Sequence, residues 1–278
     1  VTGGIRCAAY RPGREAGLRC SAMLARYGTG IAGVTTGFTL RPMRNDDVAA
    51  AHALSTAVRW PHRIEDWRFV LGLGDGVVAE TAGRLVGTAM AWRFGPRWAS
   101  TGMVIVAPEY QGRGLGRRLM DEVLPSLSDR TVALHATEAG APLYRSLGFT
   151  PDGLVLQQQG IAASADHVTP QAGTVLRPAV AEHTAALVAL DEEATGMARA
   201  EAMAALRQVS DAVLLARDGE VQGFALIRAF GRGRVIGPVV ASDGDVARVL
   251  VSHRELLSAV WRAAGVPPEL RARAAALL

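Results

Sequence analysis

A chain of 278 residues, about half of them hydrophobic and a fifth charged, can hold two domains with a core each and is not composed like a disordered protein. Its net charge of +4 is carried on the basic side by arginine without a single lysine, which removes lysine-based Schiff-base or general-base chemistry. The arginines are scattered and carry no recognition motif, so a nucleic-acid partner is not expected; the longest apolar stretches, Ala185–Leu190 and Val235–Ala241, fall far short of the ~20 residues of a membrane span.

Residues 1–36 are rich in Gly, Arg and Ala, with Glu15 as the acidic residue and no sustained periodicity, and are expected to be a disordered tail. Both cysteines, Cys7 and Cys20, lie there; no disulfide framework or metal-ligand spacing results, and a cytoplasmic protein without a metal is expected. The pattern then predicts a short strand Thr39–Arg41, alanine-rich helical sequence, and a hairpin of Gly76–Thr81 and Leu85–Arg93 about Ala82-Gly83. A strand Met103–Ala107 follows, then a helix Gly114–Leu127, a strand Thr131–His135, a helix Ala139–Leu147 and a strand from Phe149. The polar run Gln157–Gly173 reads as a linker.

Beyond it the plan repeats. Thr39-Leu-Arg-Pro42 returns as Val175-Leu-Arg-Pro178, and the same offset of 136 carries Asp75 onto Asp211, Gly83 onto Gly219 and Gly87 onto Gly223. The second copy is expected to have strands Thr174–Arg177, Ala212–Ala216, Val221–Ala229 and Val235–Ala241. A helix Ala247–Ala264 and no obvious later strand make it incomplete. The fold class is α/β, with an α+β mixed sheet in two tandem copies. The expected domains are 37–158, a linker 159–173, and 174–278.

Between the strand and the helix of the first copy runs Pro108-Glu-Tyr-Gln-Gly-Arg-Gly-Leu-Gly116. A helix N-terminus offers backbone N–H groups without intrahelical partners and the positive end of a dipole, the requirements of a pyrophosphate site. Gly112, Gly114 and Gly116 allow close approach, and Arg113 and Arg117 can add charge-assisted bonds. A phosphate loop of the nucleoside-triphosphate type would need lysine, and a dinucleotide fingerprint would need glycine where Arg117 stands.

Gln111, Gly114 and Gly116 match the Q/R-x-x-G-x-G/A signature of the GNAT acetyltransferases, and Ala139–Phe149, with Tyr144 and Leu147-Gly-Phe149, resembles that family's second motif. The resemblance covers residues 37–158, and the second copy resembles GNAT proteins in which a second such domain follows the first. It implies the GNAT fold, acetyl-CoA as co-substrate, and direct acetyl transfer to a primary amine of a small molecule. The donor would lie along Val104, Ile105 and Val106 and be held by Gln111, Gly112, Arg113, Gly114, Leu115, Gly116 and Arg117. Tyr144 would be general acid toward the departing sulfur. Thr137 stands where the family usually has an asparagine that bonds the pantetheine. The base is open between His135, Glu109 and a water chain.

The acceptor is expected among the first helices and the hairpin, where Trp60, Trp67, Trp92 and Trp98 lie; Trp60, Asp66 and Trp98 are the candidates, at least two of the tryptophans being core. In the second copy Asp243 and Asp245 bring negative charge to the loop position, so no CoA site is expected there. That copy would pack on the first, complete the acceptor pocket, or make an oligomer contact such as a homodimer. The competing reading keeps the fold as a non-catalytic acyl-CoA-binding sensor or interaction module.

Overall fold

The first unit, residues 1–159, runs β1 (Thr2–Tyr10), β2 (Thr39–Pro42), α1 (Val48–Ala57), α2 (Ile64–Leu71), β3 (Asp75–Thr81), β4 (Arg84–Phe94) and β5 (Trp98–Val106). It continues through α3 (Leu115–Val123), β6 (Thr131–Ala136), α4 (Ala141–Ser146) and β7 (Thr150–Gln158). The second, residues 160–278, contains β8 (Thr174–Pro178), α5 (Thr184–Thr195), α6 (Ala200–Val209), β9 (Asp211–Arg217), β10 (Glu220–Phe230), β11 (Gly233–Ala241) and α7 (Gly244–Ser252). The computed structural model describes residues 2–10, 37–158 and 168–252. The remaining part of the expected tail, most of the expected linker, and the last part of the expected Ala247–Ala264 helix lie outside the described residues.

Duplication is visible in the bounds of the elements: β9 and β10 repeat β3 and β4 at the offset of 136 read from the sequence. The reasons for the repeated residues are physical. Ala82 and Gly83 take positive φ of 48° and 72°, and Asp218 and Gly219 take 51° and 87°, the two-residue turn whose twist suits a hairpin. Gly87 and Gly223 serve packing instead. A Cβ on Gly87 would lie 2.9 Å from Leu119 Cδ1 of α3, and one on Gly223 2.7 Å from the Val240 carbonyl of β11 and 2.9 Å from Val246 Cγ1 of α7, so both glycines let a helix press onto the hairpin and Gly223 also admits the neighbouring strand. In the repeated Leu-Arg-Pro, Arg41 pairs with Asp47 at 2.7 Å and with Glu80. Asp47 in turn accepts the Arg44 amide at 2.7 Å, which fixes the turn into α1.

The first sheet has the order β2-β3-β4-β5-β6-β1-β7 and the second β11-β10-β9-β8. Six consecutive residues of β4, Val86–Ala91, are buried, which requires cover on both faces; α1 and α3 both pack on β4 and β5. In the second unit the alternation of β9 separates two clusters: Leu214 with Leu187 and Met203 of α5 and α6, and Val213 and Leu215 with Val246, Val249 and Leu250 of α7.

Two expectations are corrected here. Residues 2–10 are not a disordered tail: they form β1, antiparallel to β6 and to β7, with Cys7 opposite His135 and Ile5 opposite Val155. A strand flanked on both edges gains ladder bonds that do not depend on its side chains, so its glycines and weak pattern did not announce it. β5 begins at Trp98, five residues before the expected start, because Ser100, Thr101 and Gly102 interrupt the apolar pattern without ending the strand.

Candidate active site

β5 ends at Val106, and Pro108–Tyr110 form a single tight turn before the loop that enters α3. Gln111 ties the loop to the strand end by donating from Nε2 to the Val106 carbonyl at 3.0 Å. Gly112 and Gly114 both lie in the left-handed region, at φ 72° and 76°, and a Cβ on either would meet no atom within 4 Å. Gly114 is the N-cap residue of α3 and supplies no side-chain bond to the amides that follow. The helix therefore presents its first N–H groups and its positive dipole end on an open side. Gly116 is glycine for another reason: its Cβ would press within 3.3 Å of Leu143 Cδ2 on α4.

The arginines divide. Arg113 Cζ stands 5.5 Å from the centre of the Tyr110 ring and Arg84 Cζ 5.6 Å from the same ring, which keeps two cations at the loop. Glu109 pairs with Arg84 at the surface; its own backbone N–H and Arg84 hold its carboxyl below the usual range, and it is a turn residue at the surface. Arg117 is turned toward α4, donating to Ser146 Oγ at 3.1 Å with Asp121 at 3.9 Å. The contact ties α3 to α4 while the guanidinium stays half exposed.

Beside the loop the sheet opens. β5 and β6 are parallel partners only over Trp98–Ser100 and Thr131–Ala133. Past Ser100 the two strands part, and Val104, Ile105 and Val106 lie on the parted stretch, with Ile105 buried in the core. Tyr144 is 9% exposed, with its ring edge-on to Phe149 at 5.9 Å. Gly140 makes room for it, since a Cβ there would come within 3.1 Å of Tyr144 Cε2. Burial pushes the Tyr144 hydroxyl up to about 12, so it is a protonated group at neutral pH. Thr137 Oγ1 accepts the Gly140 amide at 3.2 Å and shapes the entry to α4; its hydroxyl proton remains for donation. His135 is exposed and alternates to the face opposite Leu134 and Ala136, which share the core with Tyr144. The structure does not bring His135 and Tyr144 to one face.

The acceptor candidates fare unequally. Asp66 is 4% exposed and spends its carboxylate on the start of α2, accepting Arg63 N at 2.9 Å and pairing with Arg63 Nη2 at 3.0 Å. It is a capping residue rather than a seat for an amine. Trp67 is fully buried, donating from Nε1 to Ser55 Oγ at 3.1 Å, and Trp92 donates to the Val70 carbonyl at 2.8 Å; both are structural. Trp98 begins β5, eight residues before Val106 and so roughly 25 Å from the glycine loop at about 3.3 Å per residue. Trp60, half-buried in the turn between α1 and α2 and edge-on to His62 at 5.5 Å, remains a surface candidate. Sequence reasoning missed the buried Thr88 and Thr101 on β4 and β5; comparing the two copies would have found them, since Phe224 and Ile236 occupy the matching places.

In the second unit β11 and α7 are joined by Ser242 and Asp243 alone. Asp243 Oδ1 accepts the amides of Asp245 at 2.9 Å and Val246 at 2.8 Å. Those bonds, the Val246 amide first, hold its carboxyl below the usual range. A carboxylate of the chain itself thus sits on the helix end that the first unit leaves open.

Residues 73–151 match the sequence profile of the acetyltransferase (GNAT) domain, and residues 187–260 match a second profile of the same description. The chain belongs to the GNAT acetyltransferase family. The first GNAT match runs from β3 to the start of β7 and contains the glycine loop and Tyr144. Among similar proteins, the uncharacterized Bacillus subtilis N-acetyltransferase YitH is 30% identical over 175 residues, 62% of this chain and 61% of the relative. The Mycobacterium tuberculosis N-alpha-acetyltransferase RimI is 40% identical over 84 residues, 28% of this chain and 53% of the relative. The chain thus spans between half and two thirds of the length of these two relatives. A Pyrococcus horikoshii crystal structure described as a candidate acetyltransferase shares the fold, with a TM-score of 0.61 at 20% identity over 83% of this chain and 81% of its own. No described helix is long and apolar enough to cross a membrane.

Proposed function

We propose that the first GNAT unit transfers the acetyl group of acetyl-CoA to a primary amine of a small molecule. The observation that carries this reading is the open helix end at Gly114, set beside strands β5 and β6 that part and within the same core as Tyr144. Pyrophosphate would rest on the amides that open α3, with Arg113 at hand, and pantetheine would run along Val104, Ile105 and Val106. The amine nitrogen attacks the thioester carbonyl carbon, the C–N bond forms, and the C–S bond breaks. Tyr144 supplies its hydroxyl proton to the leaving thiolate and regains one from solvent; the nitrogen loses its proton to water. A buried phenol held protonated is suited to giving rather than taking the first proton. Much of the acceleration comes from holding the two reactants in line. We assign the reaction to the cytoplasm, and no donor site to the second unit, whose helix end Asp243 already fills.

The test is release of CoA thiol by the full chain against a panel of amines, beside calorimetry with acetyl-CoA. Acceptor-dependent thiol release, lost in Tyr144→Phe, supports the reading. Tight binding with no release by any amine identifies a non-catalytic acyl-CoA-binding unit, and no binding at all removes the donor site.

A further inference from the structure

Thr88 on β4 is 0% exposed and Thr101 on β5 is 2% exposed, and each hydroxyl crosses to the neighbouring strand. Thr88 Oγ1 donates to the Met103 carbonyl at 2.7 Å, and Thr101 Oγ1 donates to the Met90 carbonyl at 2.9 Å. Between these two braces the pairing slips. Thr88 lies opposite Ile105 and Met90 opposite Gly102, so Met103 and Val104 share the single partner Ala89. Met103 turns the bulge with φ of 51°, a left-handed conformation that side-chain-bearing residues rarely adopt. A bulge of this kind re-aims the backbone of the strand that carries it.

We propose that Thr88 is a positioning residue that aims the Val104 amide into the opening between β5 and β6, where it would bond the thioester carbonyl of the acetyl donor. The inference rests on the acetyl-transfer reading above. A trans peptide points its C=O and N–H in opposite directions. Holding the Met103 carbonyl against Thr88 therefore turns the Val104 N–H away from β4, toward the side on which β5 has no partner past Ser100. An N–H fixed there needs no rearrangement when charge develops on the carbonyl oxygen.

The second unit is an internal control. It builds the same hairpin and third strand with Phe224 in the place of Thr88 and Ile236 in the place of Thr101. The fold therefore does not require the two hydroxyls, and they are missing from the unit in which Asp243 fills the helix end.

The experiment uses the full chain as wild type, Thr88→Val and Thr88→Ser, with an accepted amine, acetyl-CoA, and CoA itself as the binding probe. Thr88→Val is expected to lower kcat about 10-fold or more while the Kd for CoA stays within about twofold, because the interaction is made to the acyl group alone. Thr88→Ser, which keeps the hydroxyl, should recover most of kcat. An unchanged kcat in folded Thr88→Val, beside an active wild type, overturns the brace and leaves the acetyl-transfer reading standing. So does a parallel loss of kcat, CoA affinity and Tm that serine does not repair. Should Thr88→Val fail to fold, Thr88→Ala is read against Thr88→Ser by the same criteria, with a fall of about threefold or more in kcat expected for alanine relative to serine and no fall overturning the proposal. A wild type that binds no acetyl-CoA overturns both.

Discussion

Replacing Gly114 with alanine separates the backbone part of the loop from its ligand part. Gly114 has φ of 76°, and a Cβ built on it meets nothing within 4 Å. The folded protein therefore suffers no clash, only the left-handed conformation of a side-chain-bearing residue, about 1–2 kcal/mol. Gly219 provides the control. It turns the second unit's hairpin at φ 87° with an equally open Cβ direction, so Gly219→Ala carries the same conformational cost. Each kcal/mol lowers Tm by about 2–4 °C in a unit the size of the first and by somewhat more in the smaller second unit, and both variants should show the loss. They part at the donor. On the proposed reading a Cβ on Gly114 would crowd a phosphate resting on the first amides of α3, and displacing even one hydrogen bond to a charged phosphate removes about 1.5–3 kcal/mol. That is roughly a 10- to 100-fold weaker Kd for acetyl-CoA. Calorimetric titration of the folded variants should find Gly219→Ala binding as the wild type does and Gly114→Ala binding at least about 10-fold more weakly. Equal affinities in the two variants would refute the pyrophosphate cradle, since the strain is common to both and only the location differs.

Four further outcomes follow from the same geometry. Tyr144→Phe should lower kcat while leaving the affinity for acetyl-CoA unchanged, measured by thiol release and calorimetry, because the proton it gives is needed only as the C–S bond breaks. The Tyr144 hydroxyl is raised from 10.0 to about 12, so the folded state keeps this proton where the unfolded state has lost it. Stability should therefore be fully present below pH 10 and decline toward pH 12 by about 2–3 kcal/mol relative to Tyr144→Phe, read as denaturant midpoints. Asp66→Ala should lower stability by about 1–3 kcal/mol through the lost cap and the lost Arg63–Asp66 pair, with the KM for the amine unmoved; a selective rise in that KM would restore Asp66 to the acceptor site. Acetyl-CoA should bind with a stoichiometry of one per chain, because Asp243 occupies the second helix end; two equivalent sites would show that the carboxylate is displaced.

Glycine positions were the most legible part of the chain. Gly112 and Gly114 take positive φ, Gly83 and Gly219 turn their hairpins, and Gly87 and Gly223 admit a helix, all demands that act over a few residues and leave a mark in local sequence. The carboxylates were harder to read. Asp66, three residues after Arg63 at a helix start, is the acid of a capping arrangement, and that local pattern was present in the sequence but was outweighed by its neighbouring tryptophan.

By itself the sequence determined what is local or periodic: the doubled plan, the alternating strands, and the glycine loop that keeps a helix end open. Tertiary structure alone decided which strands become neighbours and where they separate. That β1 enters between β6 and β7, that β5 leaves β6 after Ser100, and that Thr88 reaches the Met103 carbonyl all depend on pairings between distant segments. The chain can satisfy its backbone donors and acceptors in many such pairings, and only the packing of both sheet faces selects among them.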